Sequence, residues 1–218
     1  MIPAHQALQR LKEGNLRFAS GSQSRDTSLS HARRVELSKG QSPFAIILGC
    51  SDSRVPAELV FDQGFGDLFV IRVAGNIVAP SQVGSVEFSA EQHGARLVVV
   101  LGHSQCGAIL ATVDQLQKPT AIQSRNLKSI VDRVRPSVET LLQTNLKDDR
   151  EALIRHAVRA NVTASVNHLR HGSEVLENLI QNDGLMIVGA EYSLETGLVD
   201  FFDVAGSATN FSRAANSD

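Results

Sequence analysis

The sequence contains no tryptophan, one tyrosine and only two cysteines in 218 residues. Two cysteines cannot build the disulfide framework of a small secreted scaffold. In a cytosolic chain such a pair serves more often as thiols or metal ligands, although a single disulfide between Cys50 and Cys106 stays open at this point. Long apolar runs are also missing. The longest, Phe44–Leu48 and Leu97–Leu101, fall far short of the ~18 residues of a membrane helix, which excludes a spanning segment of that kind. No block of like charge occurs: 21 Lys and Arg face 23 Asp and Glu, for a net charge of -2. The chain therefore has no electrostatic footprint for nucleic acid or anionic lipid, and neither is an expected partner. The segment after Met1–Gln6 is mixed and polar, without the apolar core of a signal peptide, so the expected location is cytoplasmic. Gly64–Phe65–Gly66 lacks the third glycine of a dinucleotide fingerprint, and no P-loop pattern, internal repeat or low-complexity segment is found.

What is present is a globular composition, 42% hydrophobic and 20% charged, in a chain long enough to bury one sizeable core. Ala4, Ala7, Leu8 and Leu11 share a face of a helix predicted over 4–18, followed by a polar loop over 21–28. Short apolar runs then alternate with helical segments. Strands are predicted at 44–48, 67–72, 97–101 and 185–188. Helices are predicted at 56–61, with Pro56 in its first turn, and at 82–93, 106–116, 126–142 and 151–170. Pro136 is expected to disturb the fourth of these. Ile154, Val158, Val162, Val166 and Leu169 give the last one an apolar face. A turn over 193–197 returns the chain as a hairpin strand over 198–202. The pattern predicts an α/β fold: a mainly parallel central sheet with helices on both faces, an N-terminal helical arm and an edge hairpin strand. The expected organisation is a helical arm and loop over 1–30, one α/β domain over 31–206 and a polar tail over 207–218.

Two stretches carry chemistry. Gly49-Cys50-Ser51-Asp52-Ser53-Arg54 follows a strand directly. In extended backbone, Cys50, Asp52 and Arg54 point to one side, into the crevice where open α/β sheets bind ligands. Gly102-His103-Ser104-Gln105-Cys106-Gly107 also follows a strand, and His-x-x-Cys at a helix start can bring an imidazole and a thiolate to one ion. Each stretch alone reads as well as a buried small residue beside a surface ion pair, or as a helix start with a core histidine. Together they place both cysteines of the chain at the ends of two strands. If those strands are neighbours, Cys50, Asp52, His103 and Cys106 form a plausible tetrahedral zinc set. His168 and His171 read as two exposed histidines, and no histidine is assigned as a proton shuttle.

Cys50–Arg54 and His103–Gly107 resemble the zinc signatures of the β-class carbonic anhydrases. Asp67–Asn76 and Gly84–Phe88 resemble the same family, in the expected order, with a weaker echo at Leu185–Asp200. The resemblance implies one Zn2+ per chain held by Cys50, His103 and Cys106. It gives Asp52 two states: paired with Arg54, leaving the fourth zinc position to water, or ligating the metal itself and closing the site. The implied reaction is reversible hydration of CO2 to bicarbonate and a proton, with hydroxide made available on zinc near neutral pH. Because two thiolates already cancel the metal's charge, activity is expected to rise with pH. Gln63, Phe69, Ala74, Phe88 and Gly107 match substrate-pocket positions, although Ala74 stands where valine is common and Phe88 where tyrosine is. A subtype closed by bicarbonate uses a tryptophan where this chain has Ile47. Tyr192 matches one partner of that pocket, but without the tryptophan one partner does not make the pocket, so the resemblance favours the open, constitutively active subtype. The family also implies a homodimer or homotetramer whose N-terminal helix crosses to the partner, with the clefts shared between chains. Hydrolysis of CS2 or COS on the same scaffold, and a non-catalytic zinc protein closed by Asp52, are the alternatives.

Overall fold

The computed structural model describes residues 2–23, 31–118 and 124–203. The predicted polar tail over 207–218 and most of the loop over 21–28 lie outside the described residues. Strands β1 (Ala45–Gly49), β2 (Leu68–Arg72), β3 (Leu97–His103), β4 (Met186–Tyr192) and β5 (Val199–Asp203) form one sheet in the order β2-β1-β3-β4-β5. The first four are parallel and β5 returns antiparallel to β4, as the hairpin pattern predicts. Every residue of β1 and β3 is buried. That is why these strands read as continuous apolar runs rather than as alternation: both faces of the sheet are covered.

Eight helices are described: α1 (Ala4–Ala19), α2 (His31–Leu37), α3 (Ala57–Val60), α4 (Pro80–Gln92), α5 (Gly107–Gln117), α6 (Arg125–Leu142), α7 (Arg150–His171) and α8 (Glu174–Asn182). On one face, Ala7, Leu8 and Leu11 of α1 join Phe61, Ile47, Val99 and Val188 in a single core. Helix α1 thus packs on this chain's own sheet. Asn15 fixes it there, donating to the carbonyls of Val60 at 3.1 Å and Gly197 at 2.8 Å and accepting from the Val199 amide at 2.8 Å. On the other face, Val86 and Ala90 of α4, Val162, Val166 and Leu169 of α7, and Leu176 and Leu179 of α8 cover Ile46, Leu48, Val98 and Val100. A third cluster, built from α5, α6 and α7, surrounds Cys50 and Cys106.

Several elements differ from the pattern-based reading. β3 and β4 run on to His103 and Tyr192, which pair with each other. α6 continues through Pro136. Pro136 and Asp132, whose carbonyl loses its partner, both lie on the exposed side, where solvent serves that carbonyl. α2 and α8 are additional helices. α2 buries no residue and so leaves no apolar periodicity, whereas α8 starts at a Ser173 cap whose hydroxyl accepts from the Leu176 amide at 3.1 Å.

Candidate metal centre and active site

In the order β2-β1-β3 the chain leaves β1 toward β2 on one side and finds β3 on the other, so the ends of β1 and β3 flank a topological switch point. Gly49 pairs with Leu101 across that boundary. Cys50 therefore emerges beside Gly102 and His103. Cys106 follows as the residue preceding α5, with its sulfur at the helix N-terminus, where the dipole favours a thiolate. The ligand atoms of Cys50, His103 and Cys106 all lie within 4.8 Å of one another, and all three residues are buried. The two sulfurs are 4.0 Å apart and unbridged. Among the described residues this is the one such group of histidines, cysteines and carboxylates; His168 and His171 belong to none.

The donors are individually oriented. His103 Nδ1 sits 2.9 Å from the Ser104 carbonyl, which fixes the proton on Nδ1 and leaves the lone pair on Nε2. Nε2 is buried without a hydrogen-bond partner. Buried polar atoms are rarely left so, and a metal ion between this nitrogen and the two sulfurs would account for it. Two soft thiolates and an imidazole are zinc ligands by type, so the residues fit the metal.

Electrostatics points the same way. A hydrogen bond from Cys106 pulls the Cys50 thiol well below its ordinary range against the cost of burial, with His103 and the Gly75 amide assisting. The same bond, together with burial, pushes Cys106 up. Burial pulls His103 down, but the nearby Cys50 sulfur, the Ser104 carbonyl and the charge of Asp52 outweigh that and raise it.

Asp52 stands at the edge of the group, with Oδ2 3.8 Å from His103 Nε2. The backbone from Cys50 to Arg54 is not an extended run. It turns at Asp52, whose Oδ1 accepts from the Arg54 amide at 3.0 Å and whose carbonyl accepts from the Val55 amide at 3.0 Å. The turn folds Arg54 back over the carboxylate, and the hydrogen bonds from its guanidinium hold the Asp52 carboxyl well below the usual carboxylate range.

Of the predicted pocket residues, Ala74 opens a 3-10 turn (Ala74–Asn76) whose Gly75 amide donates to Cys50 Sγ at 3.3 Å. Gly107 is the first residue of α5, next to Cys106. The others make their contacts elsewhere. Gln63 Nε2 donates to the Phe61 carbonyl at 2.7 Å and Oε1 accepts from Arg10 Nε at 3.0 Å. Phe69 and Phe88 cluster with His93 at ring separations of 5.5 to 6.2 Å, with Phe88 half exposed.

Sequence reasoning missed Arg72, which donates from Nε to the Cys50 carbonyl at 3.1 Å and from Nη2 to the Asp52 carbonyl at 2.6 Å. Its signal was an arginine closing an apolar strand. It also missed Asn161 and Ser165, two polar residues on the buried side of α7.

Comparison with known proteins agrees with this geometry. The carbonic anhydrase family matches residues 45–199. Carbonic anhydrase 2 of Mycobacterium tuberculosis is 38% identical over 201 residues, covering 92% of this chain and 94% of that protein. Carbonic anhydrase of Mycolicibacterium smegmatis is 37% identical over 194 residues, covering 89% and 91%. The solved structure of the β-carbonic anhydrase CcaA superposes with a TM-score of 0.68 at 29% identity, covering 91% of this chain and 92% of that one. The β-carbonic anhydrase CafA of Aspergillus fumigatus shares the fold at 0.71. A chain that carries this donor set at the switch point, and these relatives along nearly its whole length, belongs to the β-class carbonic anhydrase family.

Proposed function

We propose that this protein is a zinc-dependent carbonic anhydrase interconverting CO2 and bicarbonate, with one zinc per chain held by Cys50, His103 and Cys106. The observation that carries the reading is a buried Cys2His donor set beside a carboxylate already committed to an arginine. When bound, zinc supplies a Lewis-acidic position at which water ionises near neutral pH.

The chain's own groups do the rest. Arg54 holds Asp52 beside the donors, so the carboxylate serves as a hydrogen-bond acceptor for the attacking water. Held well below the usual range, Asp52 stays ionised and acceptor-only across physiological pH. The Ser104 carbonyl fixes His103, and Arg72 ties the carbonyls of Cys50 and Asp52 to β2. CO2 calls for an apolar pocket with a few orienting polar groups. Ala74 and Gly107 adjoin the donors, and Gln63, Phe69 and Phe88 are assigned to a cleft shared with a second copy. That assignment makes the protein a homodimer or homotetramer, a state favoured by the edge position of β2 and the exposed Phe65 and Phe88. The two free thiols suit a reducing, cytoplasmic setting.

Stopped-flow CO2 hydration at pH 7 and 8.5, on protein of measured zinc content, tests the reading, with Asp52→Ala and the substrates CS2 and COS alongside. The expected result is fast, zinc-dependent hydration that collapses in the variant. Stoichiometric zinc with no hydration at either pH would overturn it.

A further inference from the structure

We infer that Asn161 and Ser165 of α7 are positioning residues for the Cys50 ligand, acting through the Ala74–Asn76 turn. The inference rests on the zinc reading above. The link nearest the sulfur is the Gly75 amide, 3.3 Å from Cys50 Sγ. An N–H donated to a ligating thiolate withdraws charge from the sulfur and fixes its direction, which is how outer groups tune a metal site.

That amide is presented by backbone that does not hold its shape unaided. Gly75 lies at φ 72° and Asn76 at φ 42°, two successive residues in the left-handed region. Glycine adopts that region freely, but Asn76 carries a Cβ and holds it at a cost that its surroundings must offset. A Cβ at Gly75 would stand 3.0 Å from Ala108 Cβ, so the turn is confined on its α5 side.

On its other side it is pinned by hydrogen bonds. Asn161 Nδ2 donates to the Gly75 carbonyl at 2.8 Å, and Ser165 Oγ donates to the Asn76 carbonyl at 3.0 Å. The two side chains are one helical turn apart, so a single face of α7 meets two consecutive carbonyls. Both are buried, 2% and 5% exposed, on a face otherwise built from Val158, Val162 and Val166. Valine or alanine would fill these positions as well for packing. What Asn161 and Ser165 add is the orientation of two peptide planes next to the one that donates to Cys50.

A purely structural role would satisfy two buried carbonyls and nothing more, so the test reads the metal rather than the fold. Zinc affinity is measured by chelator competition, and the thiolate-to-metal charge-transfer band is recorded on cobalt-substituted protein. The variants are Asn161→Asp, which keeps the shape but replaces the donor with an acceptor, and Asn161→Ala, Ser165→Ala and Ser165→Thr, the last keeping the hydroxyl. Ser173→Ala, which removes the α8 cap and its contact with Glu87, is the control for destabilisation alone.

Asn161→Asp, Asn161→Ala and Ser165→Ala are expected to weaken zinc binding by about 10- to 100-fold and to move the band, while Ser165→Thr stays close to the parent. Ser173→Ala should lower Tm and leave both metal readouts in place. Asn161 and Ser165 line a cavity of about 500 Å³, so water can reach the carbonyls they release. The alanine variants therefore carry the test if Asn161→Asp does not fold. Variants that lose Tm but keep the band and the parent's zinc affinity to within about twofold would overturn the inference. A parent protein that binds no zinc would instead overturn the zinc reading itself.

Discussion

Arg54 grips Asp52 with both arms of its guanidinium: Nε donates to Oδ1 at 2.9 Å and Nη2 to Oδ2 at 2.8 Å. This fork-on-carboxylate geometry sets direction as well as charge. It matters here because Oδ2 is only 3.8 Å from His103 Nε2, the atom that faces the two sulfurs. In the proposed zinc site the carboxylate would have both the arginine and the metal within reach, and the arginine holds it. Gln105 anchors the arginine in turn, its carbonyl accepting from Nη2 at 3.4 Å.

Removing the fork should separate binding from turnover. In Arg54→Ala, Asp52 is released toward the donors. Zinc should be held as tightly as before or tighter, while CO2 hydration falls by about 10- to 100-fold. Arg54→Lys restores charge without the two-pronged geometry and should recover only part of the rate. Chelator competition and stopped-flow hydration on the same preparations measure both quantities. A variant with parent turnover would remove Arg54 from the mechanism.

The shifts at the donors give zinc uptake a definite pH dependence. His103 is raised above its ordinary value, so the imidazolium stabilises the metal-free fold fully below about pH 6.5 and that contribution is lost as pH rises through the higher folded value. Cys106 is raised as well, whereas Cys50 is lowered to about 4. At pH 6 an entering zinc must displace the protons of both His103 and Cys106; once pH has risen through the folded value of His103, only that of Cys106 remains. Protons released per zinc should fall from about two toward one over this range, while apparent affinity climbs with pH. Calorimetry in buffers of different ionisation enthalpy counts the protons, and a pH-independent count would refute the assignment.

Metal removal should expose the thiols chemically. Cys50 and Cys106 are 6% and 1% exposed, and as zinc ligands neither should react quickly with an aromatic disulfide reagent. After chelation both should titrate. Mild oxidation should then join them, because sulfurs 4.0 Å apart need a small shift to reach the roughly 2.05 Å bond length. Two fast-reacting thiols in the zinc-loaded protein would show that the cysteines are not ligands.

How much of this was legible in the sequence depended on whether the signal was local. The five-residue apolar runs announce β1 and β3, and the cysteines and histidine stand within a few residues of their ends. What placed them together, the pairing of Gly49 with Leu101, is a property of strand order. Alternation through Cys50–Arg54 wrongly implied extended backbone, because the Asp52 side chain competes for the local amide and closes a turn. α8 carried a readable signal in Ser173 followed by Leu176, Leu179 and Ile180. Asn161 and Ser165 carried only a hint, as polar residues on an apolar helix face. Their partners are 86 and 89 residues away, and nothing short of the fold connects them.

The position before His103 offers the most direct test that α7 braces the site. Gly102 lies where β3 meets α7. A Cβ there would be 2.5 Å from Val162 Cγ2, closer than two carbons can approach, and 3.3 Å from Val158 Cγ1, a tight contact. Gly102→Ala should therefore cost about 1–3 kcal/mol through overpacking and displace His103, its neighbour in the strand, so that zinc binding weakens too. Val162→Ala alone leaves a cavity and destabilises for the opposite reason. In the double variant the added methyl occupies the space the valine gave up. The losses should be less than additive, with a coupling of roughly 0.5–3 kcal/mol, and zinc affinity should recover. Urea unfolding of the parent, both single variants and the double closes this cycle. Strict additivity would mean that α7 yields as a body rather than at Val162, and would break the link between the helix and the histidine.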